Sequence, residues 1–325
     1  PSLGGAVIET IDRLWGLAGT AEITLEANPG SADRGRFAGY RLAGVNRLSL
    51  GIQALDDAAL AALGRRHSAA EAVTAWEAAR ETFPRASFDL ICGRPGQTPR
   101  AWEAELKRAI SLAPDHVSVY QLTMEPGTPF HALHARGRLR LPDEETALRL
   151  FAMTDEMLRE AGLARYEVSN HARAGEECRH NLLYWRHGPY AGIGPGAHSR
   201  LHVAGDGGER PRILAVSAVR EPRRWLETAA GGGIGDLEEL SPGEAAAEAL
   251  LMGLRTSEGV PLARLARRLG RTPREALPPT AGELTAEGLL RIDGGDETAV
   301  LRLTPRGLTV MDAVVERLTP DDWLS

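Results

Sequence analysis

A chain of 325 residues, 43% hydrophobic and 25% charged, is long enough for one large and one smaller domain and has an ordinary globular composition. No apolar run approaches the ~20 residues of a membrane span. The net charge is −6, Lys107 is the one lysine among 38 basic residues, and the arginines are dispersed, which speaks against a nucleic-acid surface. Two cysteines, Cys92 and Cys178, read as reduced thiols, and two cannot hold an iron–sulfur cluster, which commonly uses three or four. No secretory leader is legible, so the expected setting is cytoplasmic, with membrane contact at most peripheral.

Residues 1–18 carry Leu3, Val7, Ile11 and Leu14 at helical spacing. In Ala21–Ala27, Ile23 and Leu25 alternate with polar residues, and Asn28-Pro29-Gly30 stops the strand. A helix over 31–43 and a strand over 47–51 follow, then helices over 55–63 and from Ser68, a capping residue, to about Glu81. The stretch ASFDLICGRPGQT, residues 86–98, reads as a buried strand, a glycine-rich turn and the start of a helix over 100–112. Asp89 stands inside that apolar run, where a charge is costly unless something pairs with it. The free N–H groups of the turn and helix start suit an anionic or polar ligand. An ordinary turn with a capped Asp reads equally well from these residues alone. A fourth strand over 115–122, a long amphipathic helix over 143–161 and a short strand over 165–168 complete the series.

Strand and helix alternate with no strong hairpin signal before residue 170, which predicts a parallel sheet with right-handed crossovers. Each strand delivers a polar side chain at or just past its C-terminal end: Glu26, Gln53, Asp89 and Gln121. In a β/α barrel those ends converge on one face, where sites sit. Polar strand ends near solvent are the plainer reading.

Residues 170–202 hold five of the nine histidines, the aromatics Tyr184, Trp185 and Tyr190, and the run GIGPGAHS. Such a mix suits a flat ligand or a metal, and equally a polar surface loop. Cys178 and His180 are two apart, which does not match a zinc pair. A boundary is read near 230–242, where glycine-rich stretches bracket an acidic run. The helical segments 244–255, 261–269, 281–291 and 305–318, with a strand over 298–303 between the last two, resemble a winged helix. The acidic runs of that tail oppose a DNA-binding reading.

Five stretches together carry a resemblance: EITLEANPG (22–30), NRLSLGIQALDD (46–57), FDLICGRPGQT (88–98), HVSVYQLTMEPGTPF (116–130) and CRHNLLYWRHGPYAGIGPGAHS (178–199). In their order and spacing the chain resembles the radical S-adenosylmethionine family of oxygen-independent coproporphyrinogen III oxidases, in its haem chaperone branch called HemW. The resemblance implies an α/β fold: a partial (β/α) barrel of the radical S-adenosylmethionine type over 1–205, a connecting segment over 206–240, and a C-terminal, mostly helical, winged-helix-like domain over 241–325. It implies S-adenosylmethionine across the strand ends. Glu26 and Arg65 would hold its amino-acid part, Gln53 and Asp89 the ribose and neighbouring polar atoms, and the backbone from Gly93 to Gly96 the adenosine side.

The HNxxYW signature of the branch is present as His180, Asn181, Tyr184 and Trp185. It implies haem binding, with His180, Cys178 and Tyr184 as candidate contacts and His198 a further one. The implied function is to hold haem and deliver it to an acceptor protein. The alternative is oxidative decarboxylation of coproporphyrinogen III, and a third reading is a winged-helix interaction module fused to a nucleotide-binding barrel. Such proteins also carry a CxxxCxxC motif for a [4Fe–4S] cluster, which this chain lacks. On this reading the sequence begins just inside the GGGTPS stretch that follows the motif in the family; a chain that has lost its cluster is the rival. Cys92 and Arg94 stand where the family more often has Tyr and Leu.

Overall fold

The structure is a computed structural model describing residues 1–31, 33–204, 212–295 and 297–324. The chain divides into two compact units, Pro1–Cys178 and Arg179–Ser325.

The first unit is built on a six-stranded sheet. Four parallel strands, β1 (Thr24–Ala27), β2 (Arg47–Gln53), β3 (Arg85–Cys92) and β4 (His116–Gln121), lie side by side in chain order. Helices α2 (Arg34–Leu42), α4 (Ala69–Thr82) and α5 (Pro99–Ser111) make the crossovers, with the short α3 (Asp57–Ala62) between β2 and α4. The amphipathic α7 (Glu144–Glu160) follows α6 (Pro129–Ala135). The sheet then departs from the expected parallel series. The strands β5 (Ala164–Glu167) and β6 (Asn170–Ala172) form a tight antiparallel hairpin, and β6 pairs antiparallel with β4. Only two residues separate these strands, too few for a crossover.

Register sets the character of each face. Leu48, Leu50 and Ile52 of β2, Phe88 and Leu90 of β3, and Val117 and Val119 of β4 alternate onto one face and are buried with Trp76 and Trp102 from the helices. The indole N–H groups of these tryptophans are satisfied, Trp76 by the Leu112 carbonyl at 3.1 Å and Trp102 by Thr154 Oγ1 at 2.9 Å. The alternate positions on the other face are polar: Glu26, Arg47 and Ser49, Ser87 and Asp89, His116 and Ser118. A sheet covered on both sides by an apolar core would read as continuous hydrophobic strands. This one has its apolar core on one side only, and the opposite face is largely buried but polar.

The first helix, α1 (Ser2–Trp15), buries none of its residues. Of its predicted stripe, Leu3, Val7 and Leu14 are exposed, and Ile8 instead packs against the core.

The second unit opens with α8 (Arg179–Trp185). An antiparallel sheet follows, β7 (His198–Val203), β8 (Arg212–Ala218) and β9 (Ile234–Leu240), with α9 (Pro222–Thr228) between the last two strands. The stretch 206–240, read from the sequence as a connecting segment, thus contains β8 and β9. The boundary at 205/206 lies outside the described residues. The acidic run IGDLEEL is β9, which is almost wholly exposed.

The remainder has its own apolar core. It comprises α10 (Pro242–Leu254), β10 (Val260–Pro261), α11 (Leu262–Leu269), α12 (Ala281–Ala286), β11 (Leu290–Asp293), β12 (Val300–Leu303), α13 (Pro305–Leu308) and α14 (Met311–Leu318). The order β10-β12-β11 gives the winged-helix-like arrangement. The expected helix over 281–291 stops at Ala286, and Gly288 at φ 71° turns the chain into β11. The one expected over 305–318 is broken around Val310.

Candidate functional site

The polar face of the first unit is a connected set of side chains. Arg47 Nη2 donates to Ser87 Oγ at 2.9 Å, Ser87 Oγ lies 3.1 Å from Ser49 Oγ, and Ser49 Oγ donates to Asp89 Oδ1 at 3.4 Å. Deeper along the strands, His116 Nε2 sits 2.8 Å from the Tyr166 hydroxyl. Burial, with Arg47 and Arg85 nearby, holds the His116 imidazole neutral, well below its usual range. Burial also pushes the Asp89 carboxyl up to about 6, with Ser118 opposing and the Glu26 charge adding to the rise. Asp89 and Glu26, both predicted site residues, are therefore brought into electrostatic reach of each other. Two carboxylates with one arginine committed nearby suit a ligand that offers hydroxyl donors or positive charge.

Gln53 ends β2 in the left-handed region at φ 71°, a conformation that costs a non-glycine residue of order 1 kcal/mol. Strain of this kind is kept where the surrounding structure fixes a side chain. Arg65 is exposed and lies in the loop before α4. Two residues on, His67 Nε2 contacts the Ile52 carbonyl at 3.0 Å, which tethers that loop to the C-terminal end of β2. Residues Arg94-Pro95-Gly96-Gln97 close a tight turn: the Gln97 N–H donates to the Arg94 carbonyl at 3.0 Å and Gly96 has φ 70°. Proline then glycine at the central positions is the type II pattern, and only glycine adopts that φ without strain. Gly93 is also at φ 70°, beside Gln121.

The turn borders a cleft of about 570 Å³ shared with α3 and α5. Arg94 is buried there and ion-paired with Glu105, which also accepts from the Leu55 N–H at 2.8 Å. The larger residue at 94 is accommodated by that pair.

The residues that sequence reasoning missed are Arg47, Ser49, Ser87, His116 and Ser118. Their signal was the period-2 alternation through all three strands, which is visible only when the strands are aligned with one another.

In the second unit, His180 and Tyr184 are one turn apart on α8 with their rings edge to face at 4.6 Å, and Tyr184 packs on Tyr190 at 4.4 Å. The Arg255 guanidinium lies 4.7 Å above the Trp185 ring, within cation–π range. Gly192 is fixed by close approach: a Cβ there would stand 2.1 Å from the His198 carbonyl oxygen. His198 itself is exposed on β7. His187 is buried, with Nε2 3.0 Å from Glu248 Oε2, and Arg200 grips the same carboxylate at 2.9 and 2.7 Å. Burial would raise Glu248, but hydrogen bonds from His187 and Arg200 hold it at about 2.

Both cysteines are buried. Cys92 is in the apolar core, where burial pushes its thiol up to about 11. Cys178 accepts its place from Tyr166, whose hydroxyl takes the Cys178 N–H at 3.3 Å, and its Sγ is 3.7 Å from Glu22 Oε1. Among the described residues no group of three or more His, Cys, Asp or Glu is placed to hold a metal ion. The described residues therefore offer no donor set that fits a [4Fe–4S] cluster. No helix among the described residues is long and apolar enough to cross a membrane.

Residues 2–109 match the sequence model of the Radical SAM superfamily, and residues 240–310 that of the HemN C-terminal domain. The mouse protein called radical S-adenosyl methionine domain-containing protein 1, mitochondrial, is 40% identical over 98% of this chain and 72% of its own length. The heme chaperone HemW of Bacillus subtilis is 36% identical over 88% of this chain and 73% of its own.

The chain belongs to the HemW branch of the radical S-adenosylmethionine family. Its fold is similar to that of HemN, the Escherichia coli coproporphyrinogen III oxidase, with a TM-score of 0.76 at 19% identity, covering 97% of this chain and 73% of that one.

Proposed function

We propose that this chain is a haem chaperone that binds haem and S-adenosylmethionine and passes haem to an acceptor protein in the cytoplasm. The observation that carries the haem part is the HNxxYW helix α8, where His180 and Tyr184 share one face, in a chain whose relatives are named heme chaperones. Haem is the cargo. Its iron takes His or Cys ligands, and the candidates here are His180, Cys178 and His198, with Tyr184 positioned against His180. The fold likeness to a coproporphyrinogen oxidase is a likeness of fold and does not favour that reaction.

For S-adenosylmethionine, Glu26 and Asp89 on the polar face support the reading, with Arg65, Gln53 and the 93–96 turn taken from the family resemblance. Glu26 binds its α-amino group and Arg65 its carboxylate by a charge-assisted fork. Asp89 and Gln53 take the ribose hydroxyls and neighbouring polar atoms, and the backbone from Gly93 to Gly96 lines the adenosine. Asp89, with a carboxyl that titrates near 6, is ionised at neutral pH and accepts from a hydroxyl pair. As for the winged-helix-like part, α12 and its cap carry Glu283 and Glu287 and no basic residue, which does not favour a reading as a DNA-reading helix.

The test is a haem titration of the purified chain followed at the Soret band, with His180→Ala and Cys178→Ala alongside. Saturable binding that is lost in one variant supports the assignment. Identical titrations in the wild type and both variants remove α8 from the haem site. S-adenosylmethionine binding is read by calorimetry, and Asp89→Ala is expected to weaken it at least tenfold.

A further inference from the structure

The second unit holds a cleft of about 760 Å³ that neither binding role above uses, bordered by the β7–β9 sheet and α11. Five arginines line it with His187 and His202, against the single carboxylate of Glu239. Two of the arginines are matched: Arg212 pairs with Glu239 at 3.1 Å, and Arg186 forks onto Glu258 at 2.5 and 2.9 Å. The three on α11 have no carboxylate in direct contact, although the Glu258 charge acts on Arg264 and the Glu248 charge on Arg268 from farther off. Arg264, Arg267 and Arg268 lie at i, i+3 and i+4, hence on one helix face, and none forms an ion pair with a carboxylate among the described residues. Like charges at that spacing repel. Burial, reinforced by Arg264 and Arg267, lowers the Arg268 guanidinium to about 10.

Two buried nitrogens at this cleft that can donate have no hydrogen-bond partner among the described residues, Arg268 Nε and His202 Nε2. Arg268 is anchored through another atom, Nη2 donating to the His187 carbonyl at 3.1 Å, so its guanidinium is positioned and yet under-used. A buried donor left unmet costs about 1–3 kcal/mol. Unmatched positive charge, a fixed guanidinium and open nitrogens all call for the same thing, an acceptor with negative charge. Ile213, Leu240 and Pro242 add an apolar wall beside them.

We propose that this cleft is an anion site for a small ligand carrying two or more carboxylate or phosphate groups, with Arg264, Arg267 and Arg268 as its charge partners. A guanidinium matches either group by a two-pronged hydrogen bond. The anion has two possible sources, the propionate edge of haem or a free phosphate or carboxylate compound. The site stands independently of the haem assignment on α8.

The experiment is calorimetry of the full chain with inorganic pyrophosphate and, separately, citrate, at low salt. Saturable binding of at least one probe is expected. It weakens tenfold or more in the Arg264→Gln/Arg268→Gln double variant and in Arg267→Glu. Because Arg268 also anchors His187, the exposed Arg267 supplies the variant whose folding is not at stake, and circular dichroism checks both. No binding of either probe by the folded wild type, or unchanged affinity in both variants, overturns the proposal. Where pyrophosphate binds, haem titrations with and without it separate the sources. A raised half-saturating haem concentration identifies the propionates, and an unchanged one identifies a free anion.

Discussion

The two units carry opposite unmatched charge. On the polar face of the N-terminal sheet, the buried group in deficit is a carboxylate, Asp89, faced by serine hydroxyls and a second carboxylate, Glu26. In the C-terminal unit the unpaired charge is a row of arginines on α11, two part-buried and one, Arg267, exposed. Elsewhere each unit also holds matched charge: Arg94 with Glu105 in one, Arg200 and His187 with Glu248 in the other. Folding alone gives no reason to leave charge unmatched, since a buried charge without a partner destabilises. On the assignments proposed above, the unpaired groups are the ones that take a ligand, and the two units take ligands of different chemistry.

The largest expected effect comes from breaking a matched group. Glu248→Gln leaves the buried His187 and the part-buried Arg200 without a charged acceptor and should destabilise the C-terminal unit by about 3 kcal/mol, read in urea unfolding at pH 7. The Glu248 carboxyl is held at about 2, below its unfolded value. Its stabilising contribution is therefore complete above the unfolded carboxylate range and is lost as pH falls from about 4.5 towards 2, where variant and wild type should converge.

Removing an unmatched charge should act in the opposite direction. The folded Asp89 carboxyl, at about 6, lies above the unfolded value. The native state then binds the proton more tightly, and stability falls as pH rises between about 4 and 6. Asp89→Asn should stabilise the N-terminal unit at pH 7–8 by up to about 2 kcal/mol, with the gain gone by pH 4, while S-adenosylmethionine binding weakens. A variant that destabilises at every pH would show instead that Asp89 is part of the structural framework.

The smallest effect is a control shared by both units. Ser68 opens α4 and Ser241 opens α10, each with a reciprocal capping box to the glutamate three residues on. Ser68→Ala and Ser241→Ala should each cost about 1 kcal/mol, independent of any ligand. A larger loss in one would mean that the helix start there does more than cap.

Much of the first unit was legible from local chemistry. Ser68 marked α4, the glycine-rich turn of residues 93–98 announced α5, and alternation located four parallel strands. The hairpin of β5 and β6 was hidden because β6 has only three residues, all buried, so it shows no alternation to read. The exposed β9 was hidden for the opposite reason. Its acidic residues suggested a linker, while its strand pairing is supplied by β8, a non-local partner. Asp89 was singled out from the sequence because it interrupts an apolar run. Its serine partners were not, since a serine in a strand carries no signal until the neighbouring strand fixes its register. The α11 arginines were lost among many dispersed ones, and only the fold gathers them with Arg186 and Arg212 around one cleft.

The six tryptophans divide three and three between the units. Trp76 and Trp102 are fully buried in the first unit, whereas Trp15 is 71% exposed. In the second, Trp185 lies beneath the Arg255 guanidinium on the helix that carries the haem candidates. Emission from that indole, isolated by replacing the other five with phenylalanine, is an optical gauge built into α8: a haem arriving there would quench it, while an anion seated among the α11 arginines would leave it bright.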